Sequence, residues 1–264
     1  MKKDTINFID LFCGAGGFAK GFEMTGKFKC IGGIDNKPSA IETHKHNFKS
    51  SVSICDDIRK VPPEDFDKLL NGQKVDLIIG GPPCPTFSTI GHAKIQSVYK
   101  SHDNKDITND PRNDLFLDFF GYVDYFRPKM FVMENVPQFL TKYKGATFNA
   151  VKEIIKRDLP EYDLVSEVKV LNSVNYGVPQ NRRRMILVGY LKGMDFKYPE
   201  ITHWFNEGKF NINPNDTKID TEKLEKHVTV KSAISDLPKI TDNWRVSEVE
   251  YSKHKGLDSY QKLM

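Results

Sequence analysis

The chain has 264 residues, 28% charged and 39% hydrophobic, with a formal net charge of +4. That size suits one large core and at most a small second unit, and no apolar run is long enough to span a bilayer, so no membrane partner is expected. Cys13, Cys30, Cys55 and Cys84 form no CxxC pair and have no histidine-rich companion cluster. This argues against a metal site or a disulfide framework and for a reducing, cytoplasmic setting. The charge is compatible with a nucleic-acid partner without requiring one. Met1-Lys2-Lys3-Asp4 leads straight into a strand-like run, so no signal peptide is expected.

Thr5 to Phe12 reads as a first strand. Cys13-Gly14-Ala15-Gly16-Gly17-Phe18 follows, then a short helical stretch to Met24. Strand, glycine-rich turn and helix make a nucleotide-type cradle, and Gly14, Gly16 and Ala19 fit the loose dinucleotide spacing; a tight turn with no ligand reads equally well. Phe28 to Asp35 is a second strand ending in an acid. Asp35 is placed to accept from ribose hydroxyls or to cap a helix over Pro38 to Asn47. Ser51 to Ile54 is a short third strand before Asp56-Asp57, where a carboxylate could take an adenine amino group or simply face solvent.

Val75-Asp76-Leu77-Ile78-Ile79 reads as a buried strand. Gly80-Gly81-Pro82-Pro83-Cys84-Pro85-Thr86-Phe87-Ser88 then stops it abruptly. Loops at the carboxyl ends of parallel strands are where ligands bind, so Cys84 is a candidate nucleophile, the other reading being a small cysteine that only packs. Thr89 to Asp110 is polar and aperiodic, as expected of a lid or of a disordered segment. Asp114 to Phe126 is apolar at helical spacing. Lys129 to Met133 is another buried strand, closed by Glu134-Asn135-Val136-Pro137. Ala146 to Asp158 is an amphipathic helix, and Asp163 to Asn172 alternates like a strand. Tyr176 to Arg184 leads into a strand over Met185 to Tyr190. Arg182 and Arg184 would share one face of it, facing an anion or an active site. After Leu191, Asn206 to Asp220 reads as a linker and Val228 to Leu237 as a short helix. The order of elements predicts an α/β fold, doubly wound around a mostly parallel sheet, with the beginning of a small second domain.

Four motifs in order carry a resemblance: Asp10-Leu11-Phe12-Cys13-Gly14-Ala15-Gly16-Gly17-Phe18, Gly81-Pro82-Pro83-Cys84, Glu134-Asn135-Val136, and Gln180-Asn181-Arg182-Arg183-Arg184. Together they resemble the cytosine-5 DNA methyltransferases over about residues 5 to 190, and more weakly over Val228 to Pro238. The resemblance implies a Rossmann-like S-adenosylmethionine-dependent methyltransferase fold, with S-adenosylhomocysteine as product. It divides the chain into a catalytic domain over 1–190 and, over 191–264, a linker and the start of a target-recognition domain. It makes Cys84 the nucleophile toward C6 of a cytosine flipped out of duplex DNA, Glu134 the group holding the ring at N3, and Arg182 and Arg184 supports of that pocket. For the cofactor it implies Phe18 against adenine, Asp35 on the ribose, Asp57 at the adenine amino group, and Leu115 and Pro82 in the pocket. The backbone of Gly14, Gly16 and Gly17 would lie beside the methionine portion.

The setting implied is a prokaryotic restriction-modification system. Pro85 stands where the family often has glutamine, which implies altered DNA contacts and intact chemistry. Family members usually continue beyond the point where this chain stops, so the resemblance implies either a truncated product or one subunit of a split enzyme, whose expected partner is a second subunit carrying the recognition region. An RNA (tRNA) cytosine-5 methyltransferase of the same fold, an inactive nucleic-acid-binding remnant and a nicotinamide dehydrogenase are the other readings; the last leaves the cysteine, glutamate and arginine motifs unexplained.

Overall fold

The computed structural model describes residues 5–83, 114–205 and 223–238, with 257 and 260–262. The chain divides into two compact units, residues 1–169 with 184–197, and residues 170–183 with 198–264. These units are drawn differently from the division expected at residue 190: residues 170–183, Arg182 and Arg183 included, group with the C-terminal residues.

In the first unit, β1 (Ile6–Leu11), β2 (Phe28–Asp35), β3 (Val52–Cys55), β4 (Leu77–Gly80) and β5 (Met130–Asn135) pair in parallel, and β8 (Arg183–Leu191) and β6 (Tyr162–Leu164) complete the sheet antiparallel. The path runs β3-β2-β1-β4-β5-β8-β6. The mostly parallel α/β expectation is met. Asp163 to Asn172 is not one strand: β6 ends at Leu164 and β7 (Lys169–Asn172) begins after four intervening residues. The alternation of a short segment cannot distinguish one strand from two.

The central strands are rich in apolar residues on both faces, continuously so in β4, because both faces are covered. Phe8, Ile9, Leu11, Ile31, Ile78, Ile79 and Phe131 are fully buried. Gly32 and Gly33 show how the covering helices come so close. A Cβ on Gly32 would sit 2.7 Å from the Phe66 ring of α3 (Pro63–Leu69), and one on Gly33 would sit 2.8 Å from His44 of α2 (Pro38–Asn47). Consecutive strand residues point to opposite faces, so α3 and α2 cover opposite sides of the sheet. On the α3 side, α4 (Leu115–Phe126) packs Tyr122 edge-on to Phe66 at 5.8 Å and Phe119 and Phe120 against Phe131 at 6.1 and 5.6 Å. α1 (Gly17–Glu23) buries Ala19, and α5 (Ala146–Asp158) buries Val151 and Ile155.

In the second unit, β9 (His203–Trp204) pairs with β10 (Glu225–Lys226), and α6 (Val230–Ile234) is capped by the Thr229 hydroxyl, which accepts from the Ser232 amide at 3.0 Å. The linker expected over Asn206 to Asp220 lies outside the described residues.

Candidate active site

Strand register brings the sequence-predicted acids to one edge. Leu11 lies opposite both Ile34 and Gly80, Asp35 opposite Cys55, and Gly80 opposite Met133. The residues that follow these therefore leave the sheet along its carboxyl edge. Strand order reverses between β1 and β4, the switch point at which connections diverge and open sheets bind ligands. A cleft of about 230 Å³ opens there. Phe12, Ile34, Ile58, Pro83 and Leu115 give it apolar walls, and Asp35, Asp56, Asp57, Lys37 and Arg59 its charge.

Of the predicted cofactor residues, Asp35, Asp57 and Leu115 line this cleft. Phe18 packs its ring on Phe22 at 5.6 Å and is not among the lining residues; the aromatic wall is Phe12, in the left-handed conformation at φ +62°. Pro82 is buried, and the lining proline is Pro83.

Asp35 does not cap α2, whose N-cap is Lys37 with no side-chain bond. Instead its Oδ2 accepts from the Gly14 amide and its Oδ1 from the Lys37 amide, both at 2.9 Å. It thus ties the glycine turn to the end of β2, and each oxygen keeps a second lone pair. Asp57 accepts from Arg59 Nε at 2.9 Å and from Arg59 Nη2 at 2.5 Å. This guanidinium pairing holds the Asp57 carboxyl down at about 2. With the Gly14 amide already taken by Asp35, the turn does not offer that donor to a phosphate. Three carboxylates against two cations, Lys37 and Arg59, leave the lining acidic on balance, which fits a nucleoside bearing a cationic sulfonium better than one bearing a pyrophosphate.

At the other side of the switch point Glu134 lies within β5, one residue before its end, and not after it as the sequence predicts. Its Oε1 accepts from Arg184 Nε at 2.7 Å, each side chain about one-quarter exposed. The register explains the pair: Glu134 lies opposite Ile186, and Arg184 is two residues along β8 on the same face. Glu134 also reaches the segment that follows β4, since a Cβ on Gly81 would lie 3.3 Å from its Oε2. Asn135 holds the same segment at Pro82. Its Nδ2 donates to the Pro82 carbonyl at 3.0 Å and its Oδ1 accepts from the Val136 amide at 2.9 Å, the residue being 4% exposed.

Arg182 precedes β8 and belongs to the second unit. Asn172 clamps its backbone there: Oδ1 accepts from the Arg182 amide at 3.0 Å while Nδ2 donates to Asn181 Oδ1 at 2.9 Å. Cys84 and the expected lid, Thr89 to Asp110, lie outside the described residues. Burial pushes the Cys30 thiol up to about 12 and the Cys13 thiol higher still, so neither supplies a thiolate.

Sequence reasoning missed Phe12, Arg59, Asn135 and Asn172. Asn135 and Asn172 had a usable signal, an amide at the end of a strand-like run. Arg59 had none, because its role depends on a side-chain pairing.

Among the described residues no helix is long and apolar enough to cross a membrane, and no cluster of His, Cys, Asp and Glu could hold a metal ion. Comparison with known proteins fits this geometry. Type II methyltransferase M.AgeI of Thalassovita gelatinovora is 35% identical over 236 residues, covering 87% of this chain and 50% of that protein. The chain thus spans about half the length of that relative, whereas it covers 89% of type II methyltransferase M.AquIA of Picosynechococcus, at 34% identity over 88% of this chain. A solved prophage-encoded E. coli protein, assigned as a candidate DNA modification methyltransferase, superposes with a TM-score of 0.67 at 27% identity, over 98% of this chain and 64% of that one. The family described as C-5 cytosine-specific DNA methylase matches residues 6–262, nearly the whole chain, and with that match the chain belongs to the C-5 cytosine-specific DNA methylase family.

Proposed function

We propose that this chain is the catalytic part of an enzyme that methylates C5 of cytosine in duplex DNA, within a restriction-modification system. The observation that carries the reading is the meeting of Glu134, Arg184 and Gly81, an oriented carboxylate beside a residue that precedes Cys84 by three in the sequence.

Cytosine C5 is a poor nucleophile until a group adds at C6. The Cys84 thiolate makes that bond, and the electron pair moves toward N3. Glu134, held by Arg184, lies where it can bind N3–H and the exocyclic amine as that charge develops. Arg182 contacts the base oxygen. The enamine-like C5 then takes a methyl group, and loss of the C5 proton to a base expels the Cys84 sulfur and restores the ring. S-adenosylmethionine supplies that methyl as an electrophile on a sulfonium. Asp35 would hold its ribose hydroxyls, Asp57 its adenine amino group, and Phe12 and Leu115 the faces of the purine. Because C5 and C6 are shielded within a stacked duplex, the cytosine must be extruded to reach Cys84. A recognition region, in a second chain or in a further part of the same protein, would complete the enzyme.

The test is covalent trapping. The chain, alone and with the product of any adjacent reading frame, is incubated with a 5-fluorocytosine duplex and S-adenosylmethionine. A stable adduct mapping to Cys84 and absent in Cys84→Ser is expected. No adduct with either preparation refutes the mechanism, and an adduct formed on tRNA in preference to duplex DNA replaces the substrate.

A further inference from the structure

Asp57 and Arg59 form a pair that contributes little to the fold. They are two residues apart, so their contact closes no long loop, and their side chains are 25% and 44% exposed. Exposed pairs of this kind add little stability. Yet both line the cleft, and the grip is more complete than a chance surface contact. Asp57 Oδ1 accepts from the Arg59 amide at 3.1 Å and from its Nε at 2.9 Å, and Oδ2 accepts from Nη2 at 2.5 Å. The planar guanidinium fork fixes the plane of the carboxylate. With two donors on Oδ1 and one on Oδ2, the protein leaves one acceptor direction, on Oδ2.

We propose that Arg59 is a positioning residue that locks Asp57 as a single, fixed acceptor, so that the cleft selects a nucleoside whose purine carries a C6 amino group over one carrying a C6 oxo group. The inference rests on the reading that Asp57 meets the purine. An amino group donates to the remaining lone pair. An oxo group presents an acceptor to an acceptor that cannot rotate away, leaving a desolvated, unpaired polar contact. Without the arginine, the carboxylate can turn toward solvent or take up a bridging water, and the penalty on the oxo compound relaxes. Arg59 therefore acts through Asp57, and lysine, a point charge without a fork, would replace it only in part.

The full chain is titrated calorimetrically with S-adenosylhomocysteine and with its deaminated counterpart, S-inosylhomocysteine, as wild type, Arg59→Ala, Arg59→Lys and Asp57→Asn. The wild type is expected to prefer the adenosyl compound by about tenfold or more. Arg59→Ala should reduce that preference to about threefold or less, and Arg59→Lys should lie between. A merely structural role would weaken both ligands equally and leave their ratio unchanged. If Arg59→Ala keeps the wild-type ratio while Asp57→Asn abolishes it, the inference about Arg59 fails and the assignment of Asp57 stands. If Asp57→Asn changes neither affinity nor ratio, or if the wild type binds neither compound, the assignment of Asp57 fails and the inference falls with it. A wild type that binds both compounds equally overturns the inference alone.

Discussion

Glu134 and Arg184 meet across an antiparallel strand pair, the carboxylate accepting from the guanidinium Nε at 2.7 Å. One comes from the end of a parallel strand and the other from the start of the strand that reverses the sheet's direction. The contact places a paired acid beside the first residues of the cysteine turn.

If that carboxylate holds the target base, Glu134→Gln should cut methyl transfer by about 100-fold or more, since a neutral amide cannot stabilise protonation at N3. Arg184→Ala should also lower kcat, by about 10-fold or more, because the carboxylate loses its orienting partner. Neither should shift Tm by more than a few degrees, roughly, because the pair is partly exposed and solvent-screened. Transfer assays of the complete enzyme with thermal melts check both. A large loss of stability in Arg184→Ala would mark the pair as structural.

The two glycines that open the cysteine turn should behave differently. A Cβ on Gly80 would lie 2.6 Å from the Leu11 carbonyl oxygen, with the Phe119 ring at 3.1 Å, so Gly80→Ala is expected to cost roughly 1–3 kcal/mol. At Gly81 the nearest atom is the tip of the Glu134 side chain at 3.3 Å, which can shift. Gly81→Ala should therefore leave the melting temperature nearly unchanged while lowering transfer. Equal destabilisation of the two variants would contradict the geometry.

Asn135→Ala removes the buried donor that holds the Pro82 carbonyl. A cost of about 1–2 kcal/mol is expected, with slower adduct formation on a 5-fluorocytosine duplex. Asn135→Asp keeps the acceptor for the Val136 amide but sets a carboxylate against the Pro82 carbonyl, so it should be the worse of the two. Urea unfolding and trapping rates measure these separately.

His44 is fully buried, with Nδ1 2.7 Å from Ser53 Oγ and no hydrogen-bond partner for Nε2 among the described residues. Burial lowers its pKa below the ordinary value of 6.5. The unfolded chain takes up a proton that the folded chain resists. The contribution of His44 is therefore full above about pH 6.5 and is lost as pH falls below it, by up to about 1.4 kcal/mol per pH unit. Unfolding free energies measured between about pH 7.5 and 5.5 should fall for the wild type and fall less for His44→Gln. A His44→Gln curve parallel to the wild type would show that folding leaves the proton affinity of the imidazole unchanged, contradicting the lowered pKa.

The sequence by itself determined a good deal. The apolar run Leu77–Gly80, and Phe8–Leu11, apolar but for Asp10, read as strands covered on both faces, and the residues at the carboxyl ends of parallel strands then share one sheet edge. That is why Asp35, Asp57 and Glu134 could be nominated before any coordinates. Tertiary structure decided what periodicity does not encode. Strand register paired Glu134 with Arg184 and put the arginine run's two ends in different compact units. A left-handed backbone at residue 12 turned Phe12, and not Phe18, to the cleft wall. Side-chain geometry made Asn135 the tether of the cysteine turn and Arg59 the partner of Asp57. A sequence pattern sets which residues must be buried and where strands end; which side chains touch across strands depends on register, rotamer and closure of the sheet, and these are properties of the whole fold.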